Sequence, residues 1–283
     1  MLHDVEFANK LKEIQARFVA RVTEWGPRVV VIRDDLEAGM YSRRELEQLR
    51  SQAHKIAGSA KNFGFADFGS AASDLEACID RVLHIGKLER EILEQLLFVT
   101  NGFVEGLQAT IATAPQPASG SAKRMISAAA SLSSPVLPEN CAAYTHTKHT
   151  PAARILIVDD DELSRAYLIA GLAANGWSFA EAENGTDMIR SLVVQNAKTS
   201  GGRPDLIILD VDMPDIDGYS ALGMIKESPE LEGIPVMMLT AVNTEMGFIR
   251  SIARGAQEYL TKPVELGKLS STISDMLRRS QQN

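Results

Sequence analysis

Cysteine is scarce: two residues in 283, Cys78 within a helical pattern and Cys141 in a polar segment. That excludes a disulfide framework and a cysteine-rich zinc site, and it suits a reducing cytoplasm. No apolar run reaches the roughly 18 residues that span a bilayer. Met1 to Lys10 alternates charged and apolar residues where a signal peptide would carry an apolar core. Lysine and arginine never gather into a run, and 29 basic against 37 acidic residues leave a net charge of −8. A nucleic-acid surface needs a concentrated basic face, so none is expected, and neither is a membrane partner.

Apolar residues, at 45%, are plentiful enough for real cores, and the length suits two domains. Residues 114–152 divide them. This stretch is small, polar and proline-rich (Ala-Pro-Gln-Pro-Ala-Ser-Gly-Ser, later Ser-Ser-Pro-Val-Leu-Pro) and buries too little apolar area to offset its ordering entropy. A flexible coil of about 40 residues spans on the order of 35 Å, so the flanking domains can meet without being held together. His146 and His149 lie in it without a thiolate or carboxylate cluster, so no metal site is expected there.

Residues 1–113 are helical in period throughout. Phe7, Leu11, Ile14, Phe18 and Val22 recur at spacings of three and four, as do Leu46, Leu49, Ala53, Ile56 and Ala60, then Ala72, Leu75, Cys78 and Val82, then Leu88, Ile92, Leu96, Val99 and Phe103. Four or five amphipathic helices with short connections predict an all-α antiparallel bundle. Residues 153–283 instead alternate. Apolar runs at 155–158, 205–209, 234–239 and 258–260, with a weaker strand at 178–182, are separated by helical segments. Five βα units predict a flavodoxin-like, doubly wound α/β domain on a parallel sheet.

The sharpest chemical signal is Ile155-Leu156-Ile157-Val158-Asp159-Asp160-Asp161-Glu162, a buried-type strand running into four carboxylates. Ligands of open α/β sheets sit at such strand ends. Massed acids raise one another's pKa unless a cation neutralises them, which points to a hard divalent metal, with Mg²⁺ the leading candidate. A third strand would run into Asp210, Thr240 would close a fourth and Lys262 a fifth, so that Asp159, Asp160, Asp210, Thr240 and Lys262 converge on one sheet edge. Acids for a metal, one acid for attack, and a hydroxyl and an ammonium for phosphoryl oxygens suit phosphoryl transfer through an acyl phosphate. Strand-end acids also cap helices, and Asp161 and Glu162 read as helix-start acids.

Val158-Asp159-Asp160, Leu209-Asp210-Val211-Asp212-Met213-Pro214 with Gly218, Leu239-Thr240-Ala241 and Thr261-Lys262-Pro263 resemble the response-regulator receiver domain over about 153–281. The resemblance implies that Asp210 accepts the phosphoryl group. It implies that Asp159, Asp160, Asp210 and the backbone carbonyl of Asp212 hold Mg²⁺, that Thr240 and Lys262 contact phosphoryl oxygens, and that the Lys262–Pro263 bond is cis. Tyr259 takes the family's aromatic switch position beside Thr240.

Among five histidines His54 has the distinctive setting, Ala53-His54-Lys55-Ile56-Ala57-Gly58-Ser59-Ala60-Lys61. On a helix it shares a face with Gly58 and Lys61, away from the apolar face of Leu49, Ala53, Ile56 and Ala60, so the imidazole is expected to point outward. Glycine inside a helix costs up to about 1 kcal/mol relative to alanine, and an open approach to the imidazole one turn away would account for Gly58. Residues 4–110 resemble the histidine-containing phosphotransfer (HPt) domain, a four-helix module that passes phosphate between receivers. A Lys common three residues after the histidine is here Ala57, with Lys55 and Lys61 as neighbouring alternatives.

An HPt domain and a receiver on one chain imply a phosphorelay intermediate, with His54 exchanging phosphate with Asp210 or with partner receivers, and a sensor histidine kinase or other receivers as partners. No glycine-rich ATP site of a kinase is visible, and no DNA-binding output can be placed. The other readings are a regulatory adaptor switched by Asp210 phosphorylation without a relay role for His54, and a phosphatase of the haloacid-dehalogenase type built on Asp210-Val211-Asp212. The Asp159-Asp160 pair and the motif order fit the phosphatase poorly.

Overall fold

The structure is a computed structural model and describes residues 2–85, 90–113, 153–196, 202–241, 245–280 and 282. The expected tether, 114–152, with its Cys141, His146 and His149, lies outside the described residues.

Four helices build the N-terminal domain: α1 (Leu2–Glu37), α2 (Arg43–Ser59), α3 (Ala66–Ile85) and α4 (Arg90–Thr113). The stripe on α1 continues past Val22 to bury Val29, Ile32 and Leu36, although Pro27 removes one backbone donor inside the helix. A capping box opens α2: Ser42 accepts from the Glu45 amide, and the Glu45 carboxylate accepts from the Ser42 amide. A short 3₁₀ turn, Ala60–Phe63, ends at Gly64 in the left-handed conformation and sets the entry of α3. Phe18, Phe63, Phe68 and Phe103 knit the bundle centre, with ring separations from 5.0 to 6.4 Å.

The C-terminal domain alternates as expected: β1 (Arg154–Val158), α5 (Glu162–Leu172), β2 (Ser178–Ala182), α6 (Gly185–Asn196), β3 (Leu206–Asp210), α7 (Gly218–Glu227), β4 (Val236–Thr240), α8 (Glu245–Ala253), β5 (Glu258–Thr261) and α9 (Leu266–Ser280). The strands pair in the order β2-β1-β3-β4-β5, all parallel. Each strand of a sheet covered on both sides divides its residues between two cores. Ile155, Ile157, Ile208 and Leu239 pack with α5 and α9, while Leu156, Val158, Ile207 and Leu209 pack with α6 and α7. The first of these cores runs without a break into the helix bundle. Among the described residues no helix is long and apolar enough to cross a membrane.

Candidate functional site

The strand register places the expected residues at one edge. Val158 lies beside Leu209, Asp210 beside Leu239, and Thr240 beside Thr261, so the chain leaves each strand toward the same crevice. The β3–α7 loop folds back tightly on this edge. A Cβ at Gly218 would meet the Asp210 carbonyl oxygen at 2.1 Å, which only glycine avoids. The Lys262–Pro263 bond is cis.

Asp159 is the most committed acid. Its Oδ1 accepts from the Asp161 amide at 2.8 Å, and its Oδ2 from Ser164 Oγ at 2.7 Å and from Lys262 Nζ at 2.9 Å. Burial would raise its pKa, but the Lys262 charge and these hydrogen bonds outweigh it and hold the carboxyl below the usual range. Arg165 donates to the Asp159 carbonyl at 2.7 Å and to Glu181 at 2.9 Å, fixing the loop from beneath. Asp210 differs. Its Oδ1 accepts from its own following amide at 3.0 Å; Oδ2 sits 3.1 Å from Lys262 Nζ, close enough to feel the charge but out of line for a hydrogen bond. That oxygen is the one buried side-chain polar atom among the described residues with no hydrogen bond. Burial, reinforced by Asp159 and opposed by Lys262 and His54, pushes the Asp210 carboxyl up to about 7. Lys262 itself is raised, because the two acids outweigh its burial.

Thr240 is buried at the end of β4, and its hydroxyl is hydrogen-bonded to that of Tyr259. The Tyr259 ring is half-buried against Phe248, 5.9 Å away and edge-on. Asp212 is half-buried near the same edge, and its charge reaches His54 and Tyr259.

His54 departs from expectation. Its ring does not point into solvent but is buried at 7% exposure, with Nδ1 2.8 Å from Glu76 Oε1 on α3. The reason lies in the second domain, which covers the α2 face. His54, Lys55 and Gly58 line one cavity with Asp159, Asp160, Asp161, Ser164, Asp210 and Lys262. Its volume is about 10 Å³, around the least that holds one water. Burial would lower the imidazole pKa, but Glu76, helped by Asp210 and Asp212, pushes it up to about 9. Lys55 Nζ pairs with Asp160 Oδ2 at 2.9 Å. A Cβ on Gly58 would stand 3.4 Å from Lys262 Cδ, so the lysine stem packs against this turn of α2 at a distance that just admits a methyl. Lys61 lies elsewhere, its stem laid over Gly69 of α3.

The domains also meet at the rim of the cavity and beyond it. Arg21 holds Asp161 with both nitrogens, at 2.6 and 3.2 Å; Arg17 reaches Glu162 at 2.5 Å; Asn62 Oδ1 accepts from the Val264 amide at 3.1 Å. Tyr167 packs against Phe7 and Phe63, at 6.2 and 5.9 Å. Sequence reasoning assigned no role to Glu76, Arg17, Arg21 or Tyr167. The one available signal was an acid, Glu76, on the otherwise apolar face of Ala72, Leu75, Ile79 and Val82.

Oxygens of Asp159, Asp160 and Asp210 lie within 4.8 Å of one another. Ligands bonded to Mg²⁺ at about 2.1 Å stand up to roughly 4.2 Å apart, so small side-chain adjustments would close such a shell. The all-oxygen donor set and the unbonded Asp210 Oδ2 fit a hard divalent cation.

Residues 155–274 match the response regulator receiver domain family, and residues 22–112 match the Hpt domain family. Protein PilH of Pseudomonas aeruginosa is 34% identical over 125 residues, 44% of this chain and 98% of that protein. The transcriptional regulatory protein AfsQ1 of Streptomyces coelicolor is 34% identical over 127 residues, 45% of this chain and 52% of the relative. The chain thus spans about half the length of such regulators. Among solved structures, the receiver domain of a signal transduction histidine kinase from Syntrophus aciditrophicus is 33% identical with a TM-score of 0.42, covering 47% of this chain and 95% of that one. The chain belongs to the response regulator receiver family, with an Hpt domain preceding its receiver. These two domains together indicate two-component phosphorelay signalling.

Proposed function

We propose that this chain is a phosphorelay intermediate in which a phosphoryl group moves between Nε2 of His54 and the carboxylate of Asp210. The observation that carries the reading is the shared cavity: the two residues expected to bear phosphate line the same space across a domain interface. Glu76 engages Nδ1, which leaves Nε2 as the nitrogen for phosphorus. As phosphate leaves Asp210, the P–O bond of the acyl phosphate breaks while the N–P bond forms, and the electron pair returns to the carboxylate. Nε2 must be unprotonated to attack, so the proton held there in the phosphate-free form departs first. Glu76 keeps the Nδ1 proton oriented and offsets positive charge on the ring. In the reverse direction the same pairing steadies the leaving imidazole. Lys262 and Thr240 would contact the phosphoryl oxygens. Mg²⁺, held by Asp159, Asp160, Asp210 and the backbone carbonyl of Asp212, would offset their negative charge. A sensor histidine kinase or further receivers would supply or take the phosphate, and the reading suits a cytoplasmic protein.

The test is a phosphotransfer assay on the full chain with acetyl phosphate and Mg²⁺, using wild type, His54→Ala and Asp210→Ala. Label is expected at Asp210 first and then, as an acid-labile, base-stable species, at His54, with the second step lost in either variant. Label confined to Asp210 under every donor, including a phosphorylated kinase, would overturn the relay.

A further inference from the structure

The acids Asp159 to Glu162 are each met by a different cation, and three of the four cations come from the other domain. Lys262 of the receiver takes Asp159, whereas Lys55 takes Asp160, Arg21 takes Asp161 and Arg17 takes Glu162. Arg17 and Arg21 stand four residues apart on α1 and so share a face. The contacts are not equal. Arg17 and Glu162 are 48% and 68% exposed, and such a pair contributes little. Lys55 meets an acid expected to serve the metal. Arg21 grips Asp161 in bidentate fashion, with the carboxylate side chain only 5% exposed.

Asp161 also caps α5, accepting from the Leu163 amide at 3.0 Å. Asn or Ser would cap as well, so the cap alone does not require a charge. The guanidinium does. A receiver with a neutral residue there would leave the Arg21 guanidinium, about a third exposed, with the Ser59 hydroxyl at 3.5 Å and the Phe18 ring but without its charged partner, and that loss is the penalty that disfavours a wrong partner.

We infer that Arg21 is the specificity-determining residue of this Hpt domain: it selects a receiver by the acid that follows the Asp159–Asp160 pair, and the receiver so selected is the one on its own chain. Docking by this contact is independent of chemistry; its effect on transfer rests on the relay proposed above.

The experiment is a double-mutant cycle on the full chain with Arg21→Ala, Asp161→Asn and both, plus Arg21→Lys. Hydroxyl-radical oxidation of Tyr167, which the interface covers, reads docking without phosphate. The rate of label passing between Asp210 and His54 after acetyl phosphate and Mg²⁺ reads transfer. Each single substitution is expected to raise Tyr167 oxidation several-fold and to slow transfer about tenfold or more, with the double variant no worse than either single and Arg21→Lys in between. Effects that multiply in the double variant, or singles that leave Tyr167 protected, would overturn the inference. If wild type never labels His54 yet the oxidation cycle is coupled, the relay fails and recognition stands. A labelled His54 with uncoupled variants gives the reverse.

Discussion

Glu76 decides the charge of His54. Burial alone would favour a neutral ring, yet the carboxylate 2.8 Å from Nδ1 overrides it and brings the pKa to about 9. Because the folded pKa lies above the unfolded one of about 6.5, protonation favours the folded, docked chain. That contribution is fully present below pH 6.5 and disappears as pH rises through 9. Glu76→Gln removes the charge but keeps the shape, so the His54 pKa, followed by NMR titration, should fall well below its value of about 9 and the stability loss between pH 6.5 and 9 should flatten. A His54 that still titrates near 9 would transfer the credit to Asp210 and Asp212. Lys55 makes a second demand at this scale. Its ammonium occupies Asp160, an oxygen ligand that a divalent cation would need. Lys55→Ala should therefore tighten Mg²⁺ binding several-fold, measured by isothermal titration of the unphosphorylated chain. An unchanged Kd would mean that the lysine yields Asp160 without cost.

At the level of helices and strands, much was legible because period and punctuation agree. Alternation and strand-end polar residues placed β1, β3, β4 and β5 within a residue or two, and four separated motifs set the receiver's edge. His54 was found from its helical neighbours, but its burial was not, because the covering surface comes from residues more than a hundred positions away. Asp161 was legible only as a helix-start acid; its guanidinium partner is 140 residues upstream on α1, and nothing local marks that pairing. Gly58 shows how one position can carry both kinds of information. The sequence reads it as a helix defect that needs a reason, and the structure supplies the stem of Lys262. The two requirements separate on substitution. Gly58→Ala restores helix propensity worth up to about 1 kcal/mol, and its methyl fits at contact distance, so the melting temperature should rise with Tyr167 still protected. Gly58→Leu keeps the helix but drives Lys262 from between Asp159 and Asp210, so Tyr167 oxidation should rise while helicity by circular dichroism stays constant. Protection unchanged in the leucine variant would mean that the interface tolerates bulk and that Gly58 serves another purpose.

For the molecule as a whole, the relay proposed above would make the interface decide whether phosphate stays within a chain. The bundle brings Arg17, Arg21, His54 and Lys55 to the contact, and the receiver brings Asp160, Asp161, Glu162 and Asp210, so the two surfaces are complementary in charge around an apolar centre at Tyr167. Complementarity of this kind favours fast encounter and correct register more than tight binding. Covalent connection of the two domains would then make the own receiver the dominant competitor, since linked partners meet at an effective concentration in the mM range. Transfer between Asp210 and His54 should accordingly be first order, with a rate that does not change as the protein is diluted through the micromolar range. A mixture of His54→Ala and Asp210→Ala chains can pass phosphate only between molecules, so it should label His54 of the Asp210→Ala chain far more slowly, at a rate proportional to concentration. Raising salt from about 0.1 M to 1 M shortens the screening length from about 10 to 3 Å and should slow both routes through the exposed pairs. The intramolecular rate should fall less, because the tether replaces the long-range attraction that a separate partner depends on. Equal rates for the mixture and the intact chain would show that the docked arrangement serves receivers in general and that the connection between the domains confers no preference.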